Sequence, residues 1–341
     1  MTIYDIARQA GVSTATVSRV LNHSGSVSEA ARLKVEAVIE REGYIPNAFA
    51  HSLTTKRSGT VGIICPEIAD ANHAYPVSEL SRLLRGSGFE ILLIDTASNT
   101  ESKRPYFNTM IRRQVEAVIV IGCGCGKAEE DDFRYAAGRV PVFVVNGRID
   151  LKNVYSILCD EEKAACDMVR RFAGMGRHRI LYLYDSDTYS GKMKLNGYLE
   201  GMRRYAGCEP FSIRLDNGHR SSFYEAARQV RALKEIGDIE AVLTADDSIA
   251  VGAAKALREA GLPPVPMIGF NDTILSRCAE PELSSVDIRM KQQCVLTVET
   301  LLDVLNGRET ASCVKLDAAL AERASLTDFM DRDVKNNKEK V

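Results

Sequence analysis

No run of about 18 apolar residues occurs in the chain, although 45% of its 341 residues are hydrophobic. That absence rules out a membrane-spanning helix. Low-complexity tracts are missing too. The opening MTIYDIARQAGV has neither a basic n-region nor an apolar h-region, so no secretory signal is expected there. The length exceeds one typical domain and suffices for two or three with real cores.

Several kinds of chemistry are also short of the residues they need. The nine cysteines are odd in number and scattered. Cys65 and Cys159 lie in strand-like contexts and Cys166 and Cys294 in helix-like ones, as reduced core cysteines of a cytosolic protein would. Cys123 and Cys125 form a C-x-C pair with no second pair at zinc spacing, so neither a metal nor a cofactor is expected. The glycine-rich stretch Gly122 to Lys127 has only three residues between Gly122 and Gly126, and Ala128 follows the lysine. It therefore matches neither phosphate-cradling pattern, G-x-x-x-x-G-K-[ST] or G-x-G-x-x-G. No G-x-S-x-G or H-E-x-x-H occurs, and no catalytic residue is nominated. The net charge of −2 decides nothing, but residues 1–58 hold seven basic and five acidic side chains, a slight positive bias of the sign nucleic acid requires.

What is present begins with helical periodicity. Ile3, Ile6, Ala7 and Ala10 share a face, and Gly11 follows as a terminator. Ser13 is placed to cap a second helix, Thr14 to about Leu21. There Val17, Val20 and Leu21 face inward, leaving Thr14, Ala15, Ser18, Arg19 and Asn22 outward. Ser28 can cap a third helix to about Arg41, with Ala31, Val35, Val38 and Ile39 as its apolar stripe. Periodicity alone allows any small three-helix bundle. It also allows a helix-turn-helix whose second helix presents its first residues to the major groove.

The residues themselves are more specific. The stretch Ile3-Tyr4-Asp5-Ile6-Ala7, then Ala10-Gly11-Val12-Ser13, Thr16-Val17-Ser18-Arg19-Val20-Leu21-Asn22, Val27-Ser28 and Gly43-Tyr44-Ile45-Pro46-Asn47 closely resembles the headpiece of the lactose/galactose repressor family. The resemblance implies that Thr14 and Ala15 read bases, Thr14 by hydrogen bonding and Ala15 by apolar contact, with Arg19 also directed at the major groove. It implies phosphate contact or orientation for Tyr4, Ser13, Ser18, Asn22, Ser28 and Tyr44, and a place for Ile3 at the same interface. Asn47 would cap a hinge helix from Ala48 to about Thr54, with Ala50 on it. Leu53 would either wedge into the minor groove or pack between two hinge helices.

From Thr60 onward short apolar runs alternate with amphipathic helical stretches. The runs are 61–64, 91–94, 118–121, 142–145, 180–183, 213–215, 241–243 and 267–270. Eight buried strands separated by helices predict two doubly wound parallel-sheet lobes, dividing near residues 155–160, with the chain crossing back from about Ser285. Polar residues gather just after the runs, where open parallel sheets bind ligands. The same region resembles the family's core, of periplasmic-binding-protein type, through Met175 to Ile180, Lys194-x-x-Gly197, Asp246-Asp247…Ala250-x-Gly252 and Gly269-Phe270-Asn271-Asp272.

The sequence departs from the family in that core, with Lys194 where arginine is usual, Asp246 for asparagine and Asn271 for aspartate. These swaps leave the expected cleft intact and undermine any specific sugar assignment. His73, Tyr75, Asn146, Tyr189, Lys194, Asp246 and Asn271 are the candidate effector contacts. A ligand's amine or hydroxyls would face Asp246, and its acceptors Lys194. Each of these residues could instead serve as a loop cap or a bond between lobes.

The expected organisation is a small all-α headpiece (1–46), a hinge and linker (47–59), an α/β core (60–326) and a polar, disordered tail (327–341). The first lobe would take about 60–157 and 288–315, the second about 158–287 and 316–326. The resemblance implies a cytoplasmic bacterial homodimer on a pseudo-palindromic double-stranded DNA operator, controlled by a small-molecule effector, with no membrane partner. The helix after Asp247, with Ile249, Ala253, Ala256 and Leu257, either builds the dimer or packs on its own sheet. An enzyme and a transport-type solute-binding protein are the rival readings, and neither accounts for the first 58 residues. Leu53→Ala is expected to lower operator affinity and bending while leaving the fold intact, measured by gel shift on bent and linear probes.

Overall fold

The computed structural model describes residues 1–21, 25–44, 58–97, 102–124, 126–216, 222–233 and 238–329. The chain divides into two compact units, Met1–Gly59 and Thr60–Val341.

The first unit holds α1 (Ile3–Ala10), α2 (Thr14–Leu21) and α3 (Glu29–Glu42). Its helices are too short to persist without caps and a shared core. Thr2 accepts the Asp5 N–H at 3.3 Å, and its own N–H donates to the Asp5 carboxylate at 3.0 Å. This reciprocal pair satisfies two orphan donors at the start of α1. Gly11 turns left-handed (φ 64°), so the Val12 N–H can reach Ala7 O at 3.1 Å and the chain can leave the helix at once. Ser13 Oγ accepts the Thr16 N–H at 3.1 Å to open α2, and Ser28 does the same for α3. Ile6, Ala7, Ala10, Val17, Val20, Val35 and Val38 form the buried core, the faces that the periodicity predicts.

In the second unit the described strands form two six-stranded sheets. The first contains β1 (Thr60–Cys65), β2 (Glu90–Asp95), β3 (Ala117–Ile121), β4 (Val142–Val145) and β5 (Val154–Cys159), with β11 (Cys313–Leu316) at one edge. The second contains β6 (Ile180–Tyr184), β7 (Phe211–Arg214), β8 (Ala241–Thr244), β9 (Met267–Phe270) and β10 (Ser284–Asp287), with β12 (Ala319–Ala321). The orders are β11-β5-β4-β3-β1-β2 and β12-β10-β9-β8-β6-β7, one plan used twice. Only β12 among these strands runs antiparallel to its neighbour.

Four strands lie outside the eight predicted runs. The expected division near 155–160 falls inside and just after β5, and the return crossing expected from about Ser285 follows the end of β10 at Asp287. The reason is buried serine. Ser156, Ser284 and Ser285 are almost inaccessible, yet each hydroxyl has a partner, for example Ser285 Oγ donating to Asp247 Oδ1 at 2.6 Å. A search for apolar runs misses strands whose polar side chains are hydrogen-bonded inside. β11 and β12 are short, half-exposed edge strands.

The helices are α4 (Ala71–Gly86), α5 (Arg104–Arg112), α6 (Lys127–Ala137), α7 (Glu161–Gly174), α8 (Tyr189–Gly201), α9 (Ser222–Ala232), α10 (Asp247–Glu259), α11 (Ile274–Cys278) and α12 (Met290–Leu305). Alternate residues of β1, β3 and β4 pack on α4 and α12 through Val77, Leu80, Val298 and Leu301. The intervening residues pack on α5 and α6 through Phe107, Met110 and Phe133. In the second lobe Ile249, Ala253, Ala256 and Leu257 of α10 belong to the core of their own lobe. Of the two readings of that helix, packing on its own sheet is the one these side chains adopt.

One close approach positions the site. A Cβ at Gly197 would strike the Glu162 backbone carbonyl, and one at Gly201 would press on the Val169 side chain, so α8 lies directly against α7. Lys194, one turn earlier, is thereby brought to Glu161 at the start of α7. Gly197→Ala is expected to destabilise the chain by about 1–3 kcal/mol through forced separation of these helices, read from the urea unfolding midpoint.

Candidate functional site

On the first unit, Val17 and Val20 bury one side of α2 and leave Thr14, Ala15 and Arg19 exposed on the other. Ser13 is exposed and engaged as the cap, while Ser18 is half-buried. Tyr4 projects from α1 with 72% of its surface exposed, and Ile3 leans on the core. Ser28 is exposed at the start of α3. Tyr44 packs on the same core and donates its N–H to Ile39 O at 3.0 Å. The sequence candidates Asn22, Asn47, Ala50 and Leu53 lie outside the described residues. The outward residues of α2 are small, uncharged or long and basic, which lets a helix enter a groove and donate hydrogen bonds there.

In the second unit the carboxyl ends of β6, β8 and β9 converge on Lys194. Its ammonium donates to Ala245 O at 2.9 Å and Asn271 Oδ1 at 3.3 Å and pairs with Glu161 Oε1 at 3.3 Å, 4.9 Å from the Phe270 ring centre. Two of these contacts are hydrogen bonds and the third, to Glu161, is an ion pair. The second lobe thus engages the same ammonium that the sequence reading assigned to a ligand's acceptors. Glu161 is buried and also accepts from Ser190 Oγ at 2.8 Å.

Asp246 caps α10, with Oδ1 accepting the Ser248 N–H at 2.6 Å. Its other oxygen accepts from Asn271 Nδ2 at 3.2 Å and from Nδ2 of Asn72. Asn72 belongs to α4 of the first lobe, and its Oδ1 accepts from Asn271 Nδ2 at 2.9 Å. The lobes are therefore joined by a three-residue amide and carboxylate bridge. A second link runs from the Tyr189 N–H to Cys123 O at 2.9 Å, and the Tyr189 ring packs on the first lobe's core.

The other candidates sit around this bridge or apart from it. Asp70 caps α4 through the Asn72 N–H at 2.8 Å, and burial together with nearby Asp246 holds its carboxyl above the usual range. Burial likewise raises Asp185, which accepts from Ser222 Oγ at 2.5 Å. His73 Nδ1 lies 3.2 Å from Glu67 O and 3.9 Å from Asp70. Asn146 ends β4 with φ 55°, and its N–H lies within reach of Ile157 O at 2.8 Å and Gln293 Oε1 at 3.1 Å. Its buried Oδ1 has no hydrogen-bond partner among the described residues. Tyr75 is 47% exposed on α4, and no hydrogen bond among the described residues ties it to the bridge.

Comparisons with known proteins agree with this geometry. Residues 2–47 match the profile of bacterial regulatory proteins of the lacI family, and residues 169–326 match a periplasmic binding protein-like domain. An HTH-type transcriptional regulator of Lachnoclostridium phytofermentans is 35% identical over 336 residues, spanning 96% of this chain and 100% of that one. The chain belongs to the lacI family of bacterial regulatory proteins. It is a transcription regulator, not an enzyme. Catabolite control protein A of Streptococcus mutans is 30% identical over 318 residues, spanning 91% of this chain and 92% of that one. The fold is that of the lac repressor dimer solved with operator and the anti-inducer ONPF. That match has a TM-score of 0.83 at 24% identity and covers 96% of this chain and 99% of that one. No described helix is long and apolar enough to cross a membrane.

In this regulator sequence reasoning missed Asn72, Asp70, Asp185 and Glu161. The first three lie inside polar segments already marked after strand ends. Glu161 carries no local signal, because its partner arrives from another helix. Asp247, named in the sequence only as part of the Asp246-Asp247 segment, is wholly buried, and its carboxylate accepts the Thr273 N–H at 2.6 Å, Thr273 Oγ1 at 2.8 Å and Ser285 Oγ at 2.6 Å. These bonds hold the turn where Asn271 (φ 90°) and Asp272 (φ 46°) are left-handed. Burial, opposed by these bonds and reinforced by Asp246, pushes the Asp247 pKa up to about 7 from 3.8. A raised carboxyl binds more protons folded than unfolded, so its contribution is full below the unfolded value and is lost as pH rises towards 7. Asp247→Asn is expected to remove that part of the decline between pH 5 and 7.5, seen as a narrowing stability gap between variant and parent in urea titrations.

Proposed function

We propose that this regulator is a repressor that binds a pseudo-palindromic operator as a homodimer, with affinity set by a small polar effector held between the two core lobes. The observation that carries the reading is the exposed face of α2, where Thr14, Ala15 and Arg19 stand clear of the three-helix core. Thr14 and Ala15 read bases and Arg19 reaches the same groove, while Ile3, Tyr4, Ser13, Ser18, Asn22, Ser28 and Tyr44 settle register on the backbone. Residues 1–46 are the headpiece. Residues 47–59 are the hinge and linker, where Asn47 and Ala50 contribute to DNA binding and Leu53 wedges into the minor groove.

Residues 60–326 are the sensor, divided as 60–157 with 288–315 and 158–287 with 316–326, and residues 327–341 are a tail. Effector meets His73, Tyr75, Asn146, Tyr189, Lys194, Asp246 and Asn271 around the cleft. The second-lobe polar cluster and the bridge from Asn72 support this reading, since they place a polar contact between lobes where each sheet ends. Solved relatives lend it chemistry, one being the lac repressor dimer with operator and another CelR with cellobiose. One headpiece touches too few bases for useful specificity, so two act about 34–36 Å apart on successive turns of the duplex. The setting is the bacterial cytoplasm, on the nucleoid when DNA is bound.

Binding-site selection with the full chain is expected to return a pseudo-palindrome, with affinity falling steeply as salt rises, roughly 0.9 log units per log salt for each phosphate contacted. Thr14 or Ala15 substitutions change the selected bases, whereas Asn22→Ala weakens all sites alike. Selection that yields no two-fold pattern overturns the proposal.

A further inference from the structure

We propose that the Asn72 carboxamide is a tethered occupant of the effector subsite, making the contacts that an uncharged ligand with adjacent donor and acceptor groups would make. This rests on the reading of the core as an effector sensor. Asn72 arrives from α4, 174 and 199 residues away in sequence from the two groups it bridges. Its Nδ2 donates to Asp246 and its Oδ1 accepts from Asn271 Nδ2. One planar group thus meets an acceptor and a donor side by side on the opposite lobe.

The receiving pair is fixed in place before anything lands on it. Asp246 is held as the cap of α10, and Asn271 sits in a left-handed turn held by Asp247 through Thr273. Lys194 backs Asn271 Oδ1, so the Asn271 amide can offer only its NH2 outward. Asn72 is itself aimed by Asp70, which accepts its backbone N–H at 2.8 Å.

Two classes of ligand follow from this geometry. A vicinal diol or a carboxamide reproduces the paired contacts and displaces Asn72 without loss of hydrogen bonds. A carboxylate or phosphate brings negative charge against Asp246, with Asp70 close by and Lys194 already committed to Glu161, and is rejected. Asn72 then acts as an internal competitor, and effector affinity includes the work of removing it.

The test uses the full chain, with small-angle scattering and hydrogen exchange reading the separation of the lobes and protection of residues 271–273. Asn72→Ala is expected to widen the core and speed exchange in that turn. High concentrations of acetamide, which replaces the missing group, should reverse both changes, while acetate, of the same shape but charged, should not. Asn72→Asp, nearly isosteric, should open the core more than Asn72→Ala does, because it sets a carboxylate against Asp246, and it guards against a packing artefact. A core that stays closed in both variants overturns the occupancy. Reversal by acetate as well as acetamide, or by neither, overturns the ligand class. Loss of two-fold operator selection in the parent would defeat the functional reading while leaving these lobe measurements intact.

Discussion

Two adjacent carboxylates at the start of one helix organise the carboxyl ends of β8 and β9. Asp246 and Asp247 open α10, where unsatisfied N–H groups and the helix dipole favour negative charge. They then diverge. Asp247 turns inward and holds Thr273 and Ser285, which shapes the turn carrying Asn271. Asp246 turns outward and meets the other lobe through Asn72. A buried carboxylate without partners would be expelled or neutralised, so every neighbour that accepts these two charges is constrained in turn. The strained backbone at Asn271 and Asp272 persists because the surrounding bonds over-determine it.

The core repeats one strand plan, and the repeats differ in how each spends its polar groups. After β4 stands Asn146 and after β9 stands Asn271, both left-handed, with backbone N–H groups donating to the neighbouring strands β5 and β10 at 2.8 and 2.9 Å. Asn271 is fully engaged by Lys194, Asp246 and Asn72. Asn146 uses its backbone N–H and leaves its side-chain Oδ1 without a described partner. The headpiece solves a different problem with little apolar area. Three helices of 8, 8 and 14 residues are secured by side-chain caps and left-handed glycines, which frees the outer face of α2 for function.

The legible parts of the sequence were those with short-range causes. Helix periodicity, Ser13, Gly11 and Ser28 located the first three helices closely, because caps and turns act over three or four residues. Strands made of continuous Val, Ile and Leu were found. Strands with buried serine were not, since only the folded chain supplies the partners that make a buried hydroxyl tolerable. Lys194 was recognised as important, but its partner Glu161 became legible only once α8 packed on α7 through Gly197.

By itself the sequence determined the family, the headpiece with its outward Thr14, Ala15 and Arg19, and the alternation that compels two parallel-sheet lobes. Each of these follows from residue identity and local periodicity. Tertiary structure alone decided that Asn72 meets Asp246 and Asn271, that Lys194 turns inward, and that Asp247 governs a turn 26 residues away. Those pairings join segments that only chain crossing and helix packing bring together, and no local spacing encodes them.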